Sequence, residues 1–172
     1  AEQDSRTLYV LMEIRTETDY VWHHIQKACA FFAAMEGFAD TLRQAGHHVV
    51  YLKLDDPSNK QNIEANCDAL IAAYGINHFE FQLPDEYRLD EQLKNYCKQL
   101  KITSQAYDSE HFFTSREELG LFFANKKGLL METFYREMRK KHGILLDGKE
   151  PVGGKWNFDS QNRHKLPKNH KP

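Results

Sequence analysis

The stretch TLYVLMEIRTETDYVWHHIQKACAFFAAMEGFADTLRQAGHHVVYLKL (residues 7–54) holds two apolar runs separated by a long helical pattern. Thr7–Met12 and His48–Leu54 have the nearly unbroken apolar character of strands that are covered on both faces. Between them, His24–Ala45 carries two apolar stripes at helical spacing, which predicts a central helix that ends at Gly46. This order of elements predicts two parallel strands joined by a right-handed crossover.

The same alternation continues toward the C-terminus. The patterns predict helices over Gln61–Tyr74 and Arg88–Leu100 and strands over His78–Leu83 and Ile102–Tyr107. The predicted fold class is therefore α/β, with a Rossmann-like open parallel sheet flanked by helices. Two further helices are expected, one opened by a capping box at Ser115–Glu118 and one over Leu129–His142.

The length and composition fit one soluble globular domain. The chain has 172 residues, of which 41% are hydrophobic and 28% are charged. No apolar run reaches the roughly 20 residues that a bilayer span requires, and the first residues, AEQDSRTLYV, do not have the layout of a signal peptide. These observations predict a cytoplasmic protein that does not contact membrane.

The pattern of the three cysteines also indicates a cytoplasmic protein. Cys29, Cys67 and Cys97 are odd in number, lie far apart and fall within helical patterns. We expect reduced, buried thiols, and neither a disulfide framework nor a metal site.

Charge is distributed unevenly along the chain. Residues 1–125 hold 11 basic and 20 acidic side chains, a balance of −9, whereas residues 126–172 hold 12 and 5, a balance of +7. The C-terminal quarter is thus a basic segment, and its last 29 residues are rich in Gly, Pro, Asn and Lys. Arg136, Arg139 and Lys140 are spaced to share a helix face, which could contact DNA phosphates or an acidic surface of another domain. A solvated helix face is the alternative.

Acidic side chains follow three of the predicted strands. Glu13 comes after the first strand, Asp55 and Asp56 after the second, and Glu86 after the third. In an open parallel sheet the carboxyl ends of the strands form the ligand-binding edge. Carboxylates at this edge are better suited to accept hydrogen bonds from ring N–H groups and hydroxyls of a ligand than to bind phosphate. The alternative is that Asp55 caps a turn and Asp85 caps the following helix.

Motifs for phosphate binding are missing. The sequence has neither G-x-x-x-x-G-K-[ST] nor G-x-G-x-x-G, which disfavours a flavodoxin-like nucleotide- or flavin-binding enzyme without excluding it. A basic-tailed module that binds nucleic acid is the other alternative. No residue is assigned a catalytic role.

Four segments resemble one family. LMEIRTETDYVWHHIQK (11–27), YLKLDDP (51–57), LLMETFYREMRKK (129–141) and GGKWNFDSQNR (153–163) are similar, in this order, to the N-terminal domain of the deoxyribodipyrimidine photolyase-related proteins. These are bacterial cryptochromes and photolyases that carry an iron–sulfur cluster. The resemblance implies an antenna domain that precedes a helical catalytic domain with FAD and a four-iron cluster, in a protein that repairs DNA with light or senses blue light.

The resemblance also implies a pigment. In that family the N-terminal domain binds dimethyl-ribityl-lumazine, and Glu13 matches the glutamate that hydrogen-bonds it. Tyr20 and His24 belong to the same Y-V-x-H-H motif. Asp55, Asp56 and Glu86 are added to the expected pigment site from their places at the strand ends.

Three departures from the family shape these expectations. The family begins with a strand that ends in Gly-Asp-Gln-Leu, and this chain starts after it; Ile25 stands where the family usually has Lys. The chain also ends before any flavin- or cluster-binding region. We therefore expect an antenna domain at 1–143 and an extended connector at 144–172 that leads to the catalytic domain, and we do not expect this chain alone to catalyse repair.

Overall fold

The computed structural model describes residues 4–159 together with residues 165 and 169. Its helices and strands follow in chain order: β1 (Leu8–Met12), α1 (Arg15–Thr18), α2 (Ile25–Gln44), β2 (His48–Leu52), α3 (Ile63–Tyr74), β3 (His78–Gln82), α4 (Tyr87–Gln99), β4 (Thr103–Tyr107), α5 (Glu118–Phe123), α6 (Met131–His142), β5 (Leu146–Asp147) and β6 (Glu150–Pro151). The α/β class predicted from the alternation of strands and helices is confirmed.

The four longer strands form two separate parallel pairs. β1 pairs with β2, with Met12 opposite Leu52, and β3 pairs with β4, with Phe79 opposite Ser104. Among residues 4–159, no strand pairs with the remaining edge of β1 or of β3. The pairing of all four strands in one Rossmann-like sheet stays a prediction, because apolar patterns report which strands are buried but not which strands are neighbours.

Helices cover both faces of the first pair. The Tyr51 hydroxyl donates to the carbonyl of Phe32 (3.1 Å), so Tyr51 points toward α2. Side chains alternate along a strand, and Leu52 and its partner Met12 therefore point the other way, where Asn66 of α3 donates to the Met12 sulfur (3.5 Å). The doubly covered strand expected from the apolar run is thus present.

α4 covers the second pair and lies beside α3. The rings of Phe79 and Tyr96 meet edge to face at 5.7 Å. Tyr96 also donates to Asp68 of α3 (2.8 Å), and Gln92 of α4 donates to Glu64 of α3 (2.8 Å). The two helices therefore link the strand pairs along one face.

α2 is less buried than its two apolar stripes predicted. Its buried and half-buried positions are 28, 32, 35, 36, 39 and 42, a single stripe toward β2. Phe31 and Phe38 are 60% and 56% exposed because they lie off this stripe, so the prediction of a central helix is wrong for these two members of the second stripe, whereas Met35 is half-buried. Cys29 is exposed for the same reason, Cys97 is half-buried, and only Cys67 is the buried free thiol expected of all three.

The residues up to Tyr107 form one compact unit and those from Asp108 onward form another. The predicted functional boundary at 143/144 falls inside the second unit and stays a prediction. Within that unit, Phe122 of α5 and Phe134 of α6 pack edge to face at 5.1 Å. The predicted capping box is wrong: α5 begins at Glu118 without a side-chain cap, because Ser115 accepts the Glu118 N–H through its main-chain carbonyl (3.3 Å).

The predicted C-terminal connector is described only in part. Its first residues form the short antiparallel pair β5–β6 and a single 3-10 turn at Val152–Gly154. Residues 160–164, 166–168 and 170–172 lie outside the described part of the chain, so the extended basic segment stays a prediction. None of the described helices is both long and apolar enough to cross a membrane.

Candidate functional site

Glu13 links the ends of β1 and β2 through hydrogen bonds. Its side chain is 9% exposed, and its two carboxylate oxygens accept hydrogen bonds from the Tyr51 hydroxyl (2.5 Å) and the Leu54 N–H (2.8 Å). Burial, and next the hydrogen bond to Glu13, raises the pKa of Tyr51, so this hydroxyl stays protonated as a donor. The predicted pigment-binding carboxylate is therefore held in one orientation by the protein itself.

Two buried asparagines extend this network below the strand ends. Asn59 donates to the carbonyls of Glu13 (2.6 Å) and Lys53 (2.9 Å), and it accepts from Asn66 (3.0 Å). Asn66 is 1% exposed and accepts the Lys60 N–H (2.7 Å). Sequence reasoning missed both residues. The polar run SNKQN (58–62) between a strand and a helix is a signal that could have found Asn59, and Asn66 lies beyond that run, within α3.

Gln61 joins α1 to the same loop. Its side-chain amide donates to the Leu54 carbonyl (2.7 Å) and accepts the Arg15 N–H (3.2 Å). Its backbone φ is +61°, a left-handed conformation that is uncommon for a residue other than glycine. The two side-chain hydrogen bonds compensate for this conformation, since they fix the loop to both neighbouring segments.

Asp55 and Asp56 lie in the turn that follows β2. Asp56 accepts from the N–H (2.8 Å) and hydroxyl (2.7 Å) of Ser58, and these bonds lower the pKa of its carboxyl. Asp55 is exposed beside the same turn. The turn reaches Glu13 through the N–H of Leu54, so these three carboxylates lie at neighbouring strand ends.

Tyr20 and Glu86 are brought together by Arg88, which sequence reasoning missed. The Arg88 guanidinium carbon lies 4.6 Å from the centre of the Tyr20 ring, and an Arg88 nitrogen lies 3.4 Å from a Glu86 oxygen. Glu86 also caps α4, accepting the N–H groups of Arg88 (2.8 Å) and Leu89 (2.9 Å). The alternative interpretation assigned this cap to Asp85, and the N-cap of α4 is instead the next residue, Glu86.

His24 is the N-cap of α2, where its Nδ1 accepts the Gln26 N–H (3.2 Å). In the described part of the chain, no hydrogen bond or ring contact joins it to Glu13 or to Arg88. The site residues therefore form two groups, one around Glu13 and one around Arg88, with His24 apart. We call the edge where β1, β2 and β3 end, made of residues 13–24, 53–62 and 83–88, the rim.

The basic residues of the second unit surround Trp156. The cations of Arg136, Arg139 and Lys140 lie 5.8, 5.0 and 5.5 Å from its ring centre. Arg139 is only 6% exposed and donates to the carbonyls of Ile144 (3.2 Å) and, by a second bond, Leu145. Arg136 forms an ion pair with Glu132. Of the three predicted contact residues, one is therefore paired with a carboxylate, one is buried against main-chain carbonyls, and Lys140 is exposed.

A separate polar cleft of about 460 Å³ lies between α3 and α4. It is lined by Glu64, Asp68, Gln92, Asn95, Tyr96, Gln99 and Leu100, and none of the predicted site residues is among them. No group of three or more metal-ligating side chains occurs in the described part of the chain.

Comparison with known sequences identifies the family to which the chain belongs. The profile of the family described as deoxyribodipyrimidine photo-lyase-related protein matches residues 1–172. The chain belongs to this family. It is 36% identical over 154 residues to a (6-4) photolyase of Agrobacterium fabrum, a match that covers 90% of this chain and 30% of that protein.

A second relative is much closer to this chain in length. The uncharacterized protein R852 of Acanthamoeba polyphaga mimivirus is 26% identical over 176 residues, which cover 96% of this chain and 86% of that protein. The family member described here thus spans about a third of the bacterial photolyase and most of the viral protein.

Proposed function

We propose that this photolyase-related chain is the pigment-binding N-terminal domain of a light-dependent photolyase- or cryptochrome-like flavoprotein. In this proposal its two strand pairs belong to a Rossmann-like arrangement, and dimethyl-ribityl-lumazine binds at the rim. FAD and the four-iron cluster belong to a catalytic domain outside this chain. The whole protein works in the cytoplasm, on DNA or as a blue-light sensor.

The observation that carries the proposal is the prearranged carboxylate of Glu13 at the rim. Its oxygens each hold one protein donor and retain further acceptor capacity for a ring N–H or a ribityl hydroxyl. Tyr20, which is 54% exposed, offers an aromatic face and a hydroxyl on the other side of the rim. This donor and acceptor set fits the lumazine, whose role when bound is to absorb light for the flavin.

Titration of the chain with 6,7-dimethyl-8-ribityllumazine tests the proposal. We expect a saturable shift of the pigment's absorption band and quenching of its fluorescence. Glu13→Gln should weaken binding, and Glu91→Gln, which changes an exposed carboxylate on α4, should leave binding unchanged. No binding of the wild-type chain at pigment concentrations on the order of tens of micromolar would overturn the antenna function.

Contact with the catalytic domain is the proposed role of the second unit. Its described residues expose several large apolar side chains, and the most exposed include Phe112, Phe113, Leu121, Leu129 and Leu130. A contiguous exposed apolar patch is typical of an interface, and we propose that these side chains form one. We expect Leu121→Glu combined with Leu129→Glu to weaken association with a separately produced flavin domain, and unchanged association would contradict this role.

DNA contact through α6 is a weaker proposal. Arg136 already pairs with Glu132, and Arg139 is buried against main-chain carbonyls, which leaves Lys140 as the exposed cation of the three. Binding of DNA that falls with salt and with Lys140→Glu would support it. Binding that does not change in this variant would remove the contact.

A further inference from the structure

Arg88 makes a contact across the rim that the proposed function does not assign. Its two terminal nitrogens donate to the two oxygens of Glu17 at 3.1 and 2.7 Å. Arg88 starts α4, directly after β3, and Glu17 lies in α1, directly after β1. A two-point Arg–carboxylate contact fixes orientation as well as distance, so this pair sets the position of α1 relative to α4.

The same guanidinium also holds the chain that follows α1. It lies over the ring of Tyr20 at 4.6 Å, and the Tyr20 ring meets His23 edge to face at 5.4 Å. These two residues belong to the segment 19–24, which connects α1 to α2 and which we call the rim loop. Trp22, which lies between them in the loop, is fully exposed and provides no anchor of its own.

The position of this contact matters because, in the part of the chain that the structure describes, no strand hydrogen bonds join β1 to β3. The hydrogen bonds between α3 and α4 link the two strand pairs along the helices. The Arg88–Glu17 contact links them at the rim itself, between the strand end that carries Glu13 and the strand end that carries Glu86. The distance between the two sides of the proposed pigment site therefore depends on Arg88.

We propose that Arg88 is a positioning residue that holds the rim loop, and with it Tyr20, as one wall of the ligand site. Its action on the ligand rests on the proposed function, whereas its hold on the loop does not. Arginine is required here because a lysine ammonium cannot make the two-point contact with Glu17 and stack on Tyr20 at the same time.

Limited chymotrypsin digestion measures the loop without any ligand. Tyr20 and Trp22 are cleavage sites in the rim loop, and cleavage there requires the loop to leave its anchored conformation. We expect Arg88→Ala and Arg88→Lys to increase the rate of cleavage at these sites several-fold. Arg43→Ala, which removes an exposed Arg–Asp pair on α2, is the matched control and should leave the rate unchanged.

Lumazine titration of the same variants measures the effect on the ligand. We expect Arg88→Ala to raise the dissociation constant on the order of tenfold, with Arg88→Lys intermediate. Far-UV circular dichroism and the urea midpoint establish that each variant is folded. If Arg88→Ala fails to fold, Arg88→Lys decides the question.

The outcomes separate this inference from the proposed function. Unchanged cleavage in a folded Arg88 variant overturns the inference, and so does faster cleavage with an unchanged dissociation constant. If the wild-type chain binds no lumazine, the antenna function and the ligand part of the inference fail together, and the cleavage rates still decide whether Arg88 holds the loop.

Discussion

The two strand pairs are built from similar elements but are stabilised differently. Behind β1–β2 lies a buried polar network in which Glu13, Asn59 and Asn66 satisfy one another and the ends of the strands. β4 is exposed along its whole length, and β3 is held by the packing of Phe79 on Tyr96. The first pair is therefore fixed by its own polar contacts, and the second pair by one neighbouring helix.

This difference divides the rim into a rigid side and an adjustable side. Every polar group that holds Glu13 comes from the first pair and the loop after it, so the carboxylate is prearranged before any ligand arrives. The opposite side depends on α4 and on the contact of Arg88 with Glu17 and Tyr20. Substitutions in the network should thus reduce global stability, and substitutions near β3 should act locally.

The largest effect is expected from Asn66→Ala. It leaves the Lys60 N–H without its acceptor and removes one of the two donors to Asn59 Oδ1, which keeps the Gln61 N–H. Together with the lost packing of a buried side chain, this should lower the free energy of unfolding by about 3 kcal/mol. Urea denaturation measures this. Asn62→Ala, which removes only the cap of α3, is the control and should cost about 1 kcal/mol. An equal or smaller loss for Asn66→Ala would contradict the importance of the network.

A matched pair of tyrosines compares the two sides directly. Tyr51 donates to the buried Glu13, and Tyr96 donates to the exposed Asp68. Tyr51→Phe should cost about 2 kcal/mol, because water cannot easily replace the lost donor, whereas Tyr96→Phe should cost less than about 1 kcal/mol. Chemical denaturation of both variants measures the two losses of stability. A larger loss for Tyr96→Phe than for Tyr51→Phe would show that the second pair is the more rigid.

The loss of stability at alkaline pH tests the burial of the Cys67 thiol of α3. Burial raises the pKa of the Cys67 thiol to about 12, from a reference value of 9.0. Between these two pH values the unfolded chain ionises its thiol and the folded chain does not, so stability falls as pH rises above 9. From pH 8 to pH 10 we expect Cys67 to account for a loss of about 1 kcal/mol, and Cys67→Ala should lose less than the wild-type chain by that amount.

The smallest effect is expected at the surface of the first pair. Lys53 and Glu36 form an ion pair of 2.7 Å in which both side chains are about half exposed. Lys53→Met should change stability by less than about 0.5 kcal/mol because solvent screens the charges. A loss as large as that of Tyr51→Phe would mean that the exposed edge, and not the buried network, stabilises the pair.

The sequence predicted the order and the type of the main elements well. The starts and ends of β1 and β2 and of α2, α3 and α4 fall within two residues of their predicted positions, because apolar spacing and the glycines at 46 and 75 mark them. The four-residue helix α1 was not predicted. Pairing of the strands could not be predicted in this way. It depends on contacts between distant segments, and the pattern of each strand is the same whichever neighbour it has.

The candidate site was predicted less completely. Positions after strands located Glu13, Asp55 and Asp56, since that rule needs only the strand ends. It could not show that Tyr51 and Leu54 already occupy the Glu13 carboxylate or that Arg88 joins Glu17 to Tyr20. Glu17 lies 71 residues from Arg88 along the chain, where no local spacing connects the two.

A crystal structure of the chain grown with dimethyl-ribityl-lumazine tests the central claim most directly. The proposed binding mode predicts density for the pigment at the rim, with a hydrogen bond to Glu13 and the Tyr20 ring on the opposite side. Pigment bound in the polar cleft between α3 and α4, or bound with no contact to the rim residues, would contradict it.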